Sequence, residues 1–155
     1  MYSKLKGIEY LDFIADVYDV PARVRSERIK SLLERFEMYD AVNDLIQSYS
    51  HGMKQKIIVI GALLHDPPVW ILDEPMTGLD PKSAFSLKEM MREHADQGRT
   101  VFFSTHVLEV AEKLCDRIGI INKGKLIFSG TMEEIREYAR GNESLENIFL
   151  EMTER

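Results

Sequence analysis

Hydrophobic residues in the first third of the chain recur at intervals of three and four residues, the spacing of one face of an α-helix. The first such face consists of Ile8, Leu11, Ile14, Ala15 and Tyr18. Pro21 interrupts the pattern before a second helix begins. The apolar face of this second helix consists of Ile29, Leu32, Leu33 and Phe36. We therefore predict that residues 1–66 form an all-helical subdomain, which a third helix completes.

Short apolar runs alternate with helical patterns in the middle of the chain. Ser50 can cap a helix over residues 51–64, and Asp66-Pro67-Pro68 ends it. The run Val69-Trp70-Ile71-Leu72 contains no polar residue, which is typical of a strand buried on both faces. The elements predicted after it are a helix over 81–96, a strand over 100–104, a helix over 107–114 and a strand over 118–121. This order predicts an α/β domain with a parallel sheet covered by helices, over residues 67–130.

The last part of the chain opens with a predicted β-hairpin. The polar segment Asn122-Lys123-Gly124-Lys125 separates two apolar runs, as a hairpin turn does. Thr131 and Glu134 have the spacing of a capping box at the start of a helix. A final helix is predicted over residues 144–152. We predict that residues 131–155 form a region of carboxyl-terminal helices.

Composition and charge narrow the possible functions. The chain has 155 residues and a formal net charge of −6, so it lacks the basic footprint that sequence-independent binding to nucleic acid requires. Cys115 is the single cysteine, which excludes an intramolecular disulfide. No apolar run reaches the length of about 18 residues that a transmembrane helix needs. We therefore expect no nucleic-acid partner, a cytoplasmic location, and membrane association only through another protein.

The most informative chemical feature is a pair of acids directly after a buried strand. Asp73 and Glu74 follow Leu72, at the carboxyl end of the strand, where α/β sheets place their ligands. Adjacent carboxylates in such a place need a compensating positive charge, which a magnesium ion bound to a nucleotide would supply. The second acid can then act as a general base toward water. The alternative is that Asp73 only caps the next turn.

Three further elements surround the acidic pair, and each has a purely structural alternative. Ser50 and Gly52 stand at a helix start, which favours a phosphate but also suits an ordinary serine cap. Gly78-Leu79-Asp80-Pro81 stands at the start of another helix and is, taken alone, a turn and a cap. His106 follows a predicted strand, where a histidine is more often structural than catalytic.

Together, in this order and at these spacings, the four elements resemble those of the ABC ATPase family over nearly the whole chain from Gly7 to Ile135. Residues 49–53 resemble the signature loop, although Tyr49, His51 and Met53 differ from the commonest form, Leu-Ser-Gly-Gly-Gln. The resemblance implies a partial P-loop (RecA-like) parallel sheet with flanking helices, preceded by the helical subdomain. It also implies ATP and Mg²⁺ as cofactors.

The resemblance assigns a role to each motif residue. Asp73 is the expected metal ligand, as the Walker B aspartate, and Glu74 and His106 are the expected catalytic residues, as the catalytic glutamate and the switch histidine. The residues expected to contact nucleotide are those of the signature and the D-loop: Ser50, His51, Gly52, Met53, Gly78, Leu79 and Asp80.

One stretch comes close to the phosphate-binding pattern G-x-x-x-x-G-K-[ST]. It runs from Gly119 to Leu126, but Leu126 replaces the serine or threonine that holds magnesium, and a strand follows instead of a helix. We interpret it as the hairpin described above. Without a phosphate-binding loop, this chain alone is expected neither to bind ATP strongly nor to hydrolyse it. Without the sheet strands that precede the signature in the family, apolar strand faces are expected to be uncovered.

The leading interpretation is the ATP-hydrolysing subunit of an ABC transporter, which couples hydrolysis to transport. Its implied partners are a second ATPase subunit in a head-to-tail dimer and a transmembrane permease subunit, which would hold it at the inner face of the cell membrane. Two alternatives stay open. One is a non-transport ATPase of the same superfamily, acting in DNA repair or translation, and the other is a half-domain that binds or regulates without catalysis.

Overall fold

The computed structural model describes residues 3–138 and 144–153. The chain divides into two compact units, Met1–Ser104 and Thr105–Arg155. The first unit contains the helical region and the first two strands, and the second contains the hairpin and the last helices. The predicted region 131–155 extends over residues 139–143 and 154–155, which lie outside the described residues.

The first unit has the element order that the hydrophobic pattern predicts. Its elements are α1 (Gly7–Val17), α2 (Ala22–Arg35), α3 (His51–Leu64), β1 (Val69–Leu72), α4 (Pro81–Asp96) and β2 (Thr100–Phe103). The predicted bounds of α3, β1 and α4 are confirmed. A short 3₁₀ turn, Ile46–Ser48, leads into the cap of α3 and was not predicted.

The helical part of this unit has its own apolar core. Helices α1 and α2 both pack against α3, whose sequence is apolar around most of its circumference. Such a helix is stable only when neighbours cover it on several sides. The core side chains are Leu11, Ala15, Ile29, Leu32, Leu33, Phe36, Ile57, Ile60 and Leu64. The core of this layer holds α3 in place, and with it the loop that precedes it.

Strands β1 and β2 pair in parallel, with Leu72 opposite Phe103. Trp70 is buried, but Ile71 is 77% exposed and Phe102 is 68% exposed. The prediction that β1 is buried on both faces is therefore wrong, because within this unit only the face that carries Trp70 is covered. Ile71 and Phe102 are thus large apolar side chains that lie on an uncovered face of the two strands.

The covered face of β1 contains a stacked pair of rings. Trp70 and His94 of α4 lie with their ring centroids 4.1 Å apart and their planes 24° apart. His94 is 4% exposed, and this burial lowers the pKa of its imidazole. The nearby Arg99 lowers it further, whereas the Pro68 carbonyl and Asp66 act in the opposite direction.

This stack predicts a loss of stability in mild acid. Because the folded-state pKa of His94 lies below its ordinary value of 6.5, the unfolded chain binds more protons than the folded chain once the pH falls below 6.5. The urea midpoint, followed by the fluorescence of Trp70, is expected to be lower at pH 5 than at pH 7.5. His94→Phe keeps a ring on Trp70 without the titration, and it should reduce this difference. An unchanged pH dependence in the variant would contradict the assignment.

The described residues of the second unit, 105–138 and 144–153, form a hairpin and three helices. Its elements are α5 (Leu108–Leu114), β3 (Ile118–Asn122), β4 (Lys125–Gly130), α6 (Met132–Tyr138) and α7 (Leu145–Thr153). Strands β3 and β4 are antiparallel, and Lys123 and Gly124 between them both have positive φ, as a two-residue hairpin turn of type I′ requires. The interpretation of the sequence from Gly119 to Leu126 as a hairpin is confirmed.

The pairing of β3 corrects one sequence-based expectation. Residues 118–121 were expected to add a third strand to the parallel sheet, but β3 pairs with β4 in a separate two-stranded sheet. The reason is local, since the two-residue turn returns the chain directly alongside β3. Element order alone therefore overestimated the extent of the parallel sheet.

The helices of the second unit cover one side of the hairpin. The amide of Thr131 donates to the Glu134 carboxylate at 2.7 Å, and the amide of Glu134 donates to the Thr131 hydroxyl at 3.2 Å, which confirms the predicted capping box. The buried cluster consists of Ile118, Ile120, Met132, Ile135, Leu145 and Ile148. In residues 3–138 and 144–153, no helix combines the length and the apolar character that spanning a bilayer requires.

Candidate functional site

The two acids that follow β1 are held by the end of β2. The Ser104 hydroxyl donates to Asp73 Oδ1 at 2.5 Å, and the Glu74 amide donates to the Ser104 oxygen at 2.9 Å. The Ser104 amide in turn donates to the carbonyl of Leu72 at 3.0 Å, which extends the parallel ladder. The Asp73 side chain is exposed and that of Glu74 is partly buried. The first unit therefore presents two adjacent carboxylates at the carboxyl edge of its parallel pair of strands.

The backbone turns sharply at Glu74, which has a φ of +45°. This left-handed conformation is unfavourable for a residue with a side chain. The Thr77 amide donates to the Glu74 carbonyl at 3.0 Å, and the Leu79 amide donates to the Met76 carbonyl at 3.2 Å. These two turns carry the chain from the acidic pair to Gly78 and the start of α4.

The amino terminus of α3 is the second part of the site. Ser50 is its cap, and the Ser50 hydroxyl accepts a hydrogen bond from the Met53 amide at 3.2 Å. The predicted serine cap is confirmed. Other amides of this first turn lack helical acceptors, so the start of a 14-residue helix is an electropositive end suited to an anion.

Tyr49 anchors the loop before Ser50 in the helical core. Its ring is buried, and its hydroxyl donates to the carbonyl of Ala41 at 2.8 Å. Burial, together with the carboxylate of Asp44, raises the pKa of this hydroxyl. Gly7 makes the contact possible, because a Cβ at that position would clash with the Tyr49 hydroxyl oxygen. Tyr49, where the motif that this segment resembles most often has leucine, is thus an internal anchor.

The two segments that resemble the signature loop and the D-loop approach each other at Gly52 and Gly78. A Cβ at Gly52 would lie 2.9 Å from the carbonyl oxygen of Gly78. A Cβ at Gly78 would lie 3.0 Å from the His51 ring, and Gly78 has a φ of +80°. Both positions therefore require glycine, one for space and the other for space and conformation. The fold thus brings His51 and Gly52 against Gly78.

Asp80 connects the D-loop to α3 through a buried lysine. The Lys56 ammonium lies 2.7 Å from Asp80 Oδ2, and the Lys56 side chain is 11% exposed. Asp80 also caps α4, since its carboxylate accepts from the amide of Ser83 at 3.0 Å and from the Ser83 hydroxyl at 2.8 Å. Lys56 first, and then the Ser83 amide, hold the pKa of the Asp80 carboxyl well below its ordinary value.

The other residues predicted for the site are Leu79, Met53 and His106. Leu79 is partly buried between Gly78 and Asp80, and Met53 is partly buried in the first turn of α3. His106 belongs to the second unit, where it is exposed and lies just before α5. Next to it, the Val107 amide donates to the Thr105 hydroxyl at 3.0 Å.

Sequence reasoning missed three residues that hold the site together. Lys56 could have been found, because it lies on the apolar stripe of α3 that continues through Ile60 and Leu64, and a lysine in such a stripe needs an acidic partner. Ser83 follows the Asp80 cap by three residues, a common partner position. Ser104 carries no comparable signal, since its role depends on the pairing of β1 with β2.

A comparison with protein families finds a match to the central part of the chain. A family model described as "AAA domain, putative AbiEii toxin, Type IV TA system" matches residues 9–112. The matched segment covers well over half of the chain and includes every predicted site residue from Ser50 to His106.

The curated relatives of this chain are named as ABC transporter ATP-binding proteins. An uncharacterised ABC transporter ATP-binding protein from Nostoc is 38% identical over 137 residues, which are 87% of this chain and 41% of that protein. The ABC-type transporter ATP-binding protein EcsA of Bacillus subtilis is 34% identical over 99% of this chain and 62% of its own length. The ABC transporter ATP-binding protein NatA of the same organism is 33% identical over 97% of this chain and 61% of its own length. The chain thus spans between two fifths and two thirds of these relatives.

Solved structures give the same result. A structure described as that of an ATP-binding subunit of an ABC transporter superposes with a TM-score of 0.93 at 33% sequence identity, covering 98% of this chain and 64% of the other. The predicted fold class, part of an ABC-type α/β ATPase domain, is confirmed. The chain therefore belongs to the AAA-domain family, and its homologues over most of its length are ABC transporter ATP-binding proteins.

Proposed function

We propose that this chain is part of an ATP-hydrolysing subunit of an ABC transporter, and that the subunit couples ATP binding and hydrolysis to transport across a membrane. The observation that carries the proposal is the acidic pair Asp73 and Glu74, fixed by Ser104 at the carboxyl edge of the parallel strands. Relatives that align over most of the chain are named as ABC transporter ATP-binding proteins, which supports transport over DNA repair or translation.

The residues around Asp73 fit a magnesium ion. Asp73 is an exposed carboxylate, Mg²⁺ prefers such oxygen ligands, and only one of its two oxygens is bonded to Ser104. In this proposal Asp73 holds the ion, directly or through water. When bound, Mg²⁺ neutralises charge that develops on the phosphates during transfer. Glu74 acts as the general base that receives the proton of the attacking water.

The signature loop and the D-loop are proposed to contact nucleotide. Ser50, His51, Gly52 and Met53 form the electropositive start of α3, which suits a terminal phosphate. Gly78, Leu79 and Asp80 lie beside it through the contact of Gly52 with Gly78. His106 is proposed to assist hydrolysis as the switch histidine. A phosphate bound at Ser50 would belong to the nucleotide of the second ATPase subunit.

The proposed partners follow from the assignment of the phosphate at Ser50 to the nucleotide of another subunit. A second ATPase subunit, arranged head to tail, supplies the nucleotide that Ser50 contacts. A transmembrane permease subunit connects the ATPase to the transported substrate and holds it at the inner face of the membrane. We propose no nucleic-acid partner, in keeping with the net charge of −6.

Mixing two inactive variants tests both the activity and the head-to-tail arrangement. The variants are made in the protein expressed from its complete open reading frame. Ser50→Asp keeps a good helix cap but places a negative charge where a phosphate would bind. Glu74→Gln removes the general base. Each variant alone is expected to release phosphate from Mg-ATP at least about 100-fold more slowly than the unmodified protein.

The mixture of the two variants is expected to recover activity. In a mixed dimer one site combines the intact acids of the Ser50→Asp subunit with the intact signature of the Glu74→Gln subunit. If subunits exchange freely, about a quarter of the unmodified rate should return. An unmodified protein that hydrolyses no ATP would contradict the proposed activity. An active protein whose variant mixture stays inactive would contradict the shared sites.

A further inference from the structure

We propose that Ser104 is a positioning residue for magnesium and for the catalytic base, an inference that rests on the proposed function. No motif assigned from the sequence includes Ser104, which lies two residues before His106 at the end of β2. Its single hydroxyl contacts both members of the acidic pair, Asp73 through the side chain and Glu74 through the backbone. Ser104 thereby holds both residues in place before a nucleotide arrives.

The direction of the two hydrogen bonds is fixed by the chemistry of the groups. A serine hydroxyl has one proton to donate and can also accept. A backbone amide can only donate, so the Glu74 amide donates to Ser104 Oγ. The Ser104 proton is then donated to Asp73 Oδ1, which an ionised carboxylate accepts strongly. This arrangement binds one oxygen of Asp73 and leaves Oδ2 for the metal.

The strand pairing explains why Ser104 occupies this place. Leu72 lies opposite Phe103 in the parallel register, so the next residues along each strand, Asp73 and Ser104, emerge side by side. The Ser104 amide still donates to the Leu72 carbonyl, which fixes the serine relative to the end of β1. The Ser104 backbone is therefore fixed by a main-chain hydrogen bond, and a single side-chain torsion directs its hydroxyl toward Asp73.

The second contact acts on a strained residue. Glu74 has a φ of +45°, a conformation that a glutamate adopts only when its surroundings hold it. The hydrogen bond from its amide to Ser104 is one such restraint, and the turn closed by the Thr77 amide is another. Removing the hydroxyl would release Glu74 from one side, and Asp73 would lose its orientation at the same time.

A series of variants separates this role from a general effect on folding. Ser104→Ala removes the hydroxyl, and Ser104→Thr keeps it. Thr100→Ala removes a hydroxyl from the exposed residue at the opposite end of β2 and serves as the matched control. All are made in the Glu74→Gln background of the protein from the complete open reading frame, so that ATP binding is measured without turnover.

Two measurements report on the two contacts. The first is the Mg²⁺ concentration that half-saturates binding of a fluorescent ATP analogue. Ser104→Ala is expected to raise it about 10- to 100-fold, the usual cost of losing a group that orients a metal ligand. The second is hydrogen exchange of the residue-74 amide without nucleotide, which Ser104→Ala should accelerate about tenfold or more. Ser104→Thr should restore both values, and Thr100→Ala should change neither.

The outcomes distinguish this inference from the function on which it rests. If the Glu74→Gln protein binds no Mg-ATP analogue, the proposed function fails, and the inference fails with it. If it binds the analogue and Ser104→Ala has the same Mg²⁺ dependence, the positioning role is wrong while the proposed function stands. Faster amide exchange without any change in Mg²⁺ dependence would show that Ser104 is only a structural residue.

Discussion

Glu74→Gln is expected to lower the steady-state rate of ATP hydrolysis by about 100- to 10,000-fold while Mg-ATP binding stays within about threefold of the unmodified protein. The substitution is nearly isosteric, so it removes the proposed base and little else. Asp73, which is proposed to hold the metal, keeps its hydrogen bond to Ser104. The Glu74 amide, which donates to the same hydroxyl, is unaffected because it belongs to the backbone. The loss should therefore lie in the chemical step.

The measurement needs a control substitution at another glutamate and a separate assay of ATP binding. Glu89→Gln makes the same chemical change at an exposed position of α4 and should leave the rate unchanged. Phosphate release gives the rate, and equilibrium binding of a fluorescent ATP analogue gives the affinity, both in the protein from the complete open reading frame. A Glu74→Gln protein that retains more than about a tenth of the rate would rule out a general-base role for Glu74.

Asp80→Asn is expected to destabilise the first unit more than the complementary change Lys56→Met. The Lys56 side chain is 11% exposed and that of Asp80 is 42% exposed, so the two charges differ in their access to water. Removing the Asp80 carboxylate leaves the buried Lys56 ammonium group without its partner, at a cost of about 2–4 kcal/mol. Removing the lysine leaves a carboxylate that water and Ser83 still solvate, at a cost of about 1 kcal/mol. Asparagine also caps helices well, so the cap of α4 contributes little to the difference.

A double variant and an exposed pair complete this test. Lys56→Met combined with Asp80→Asn should be more stable than Asp80→Asn alone, because no buried charge is left without a partner. Lys82, which pairs with Glu37 on the surface, provides the control, and Lys82→Met should leave stability unchanged. Free energies of unfolding come from urea titrations followed by Trp70 fluorescence. An Asp80→Asn protein that is no less stable than Lys56→Met would contradict the larger cost expected for the buried ammonium group.

The same pair also predicts how stability depends on pH in acid. The pKa of the Asp80 carboxyl is lowered in the folded state, chiefly by Lys56, from its ordinary value of 3.8. The pair therefore contributes its full stabilisation above that value, and loses it as the pH falls below about 4 toward the folded-state pKa. This window lies below the one expected for His94, so the two effects can be separated along one pH series.

Local signals in the sequence were sufficient to place most elements of the fold. The cap of α3 by Ser50, the start of α4 at Pro81 and the hairpin turn at Lys123 and Gly124 each depend on residues within four positions of one another. Such signals act before tertiary contacts form, and therefore they can be recognised in a single sequence. The motif order then pointed to the family that the comparisons support.

Contacts between distant segments could not be predicted in the same way. Nothing local indicates that only the Trp70 side of β1 is covered, because an apolar run has the same appearance whether one face or both are buried. The contact of Ser104 with Asp73 joins residues 31 positions apart and depends on the register of two strands. The contact of Gly52 with Gly78 likewise needs α3 and the D-loop to be placed first.

The close approach of Gly52 to Gly78 also has an evolutionary consequence. Two loops assigned to different motifs share one small volume, and a side chain added to either glycine would push the other loop away. His51 fills the space beside Gly78, so the size of the residue at position 51 limits what position 78 can accept. Among relatives, positions 51, 52 and 78 should therefore change together, and a substitution tolerated in one family member should fail when it is transferred alone to another.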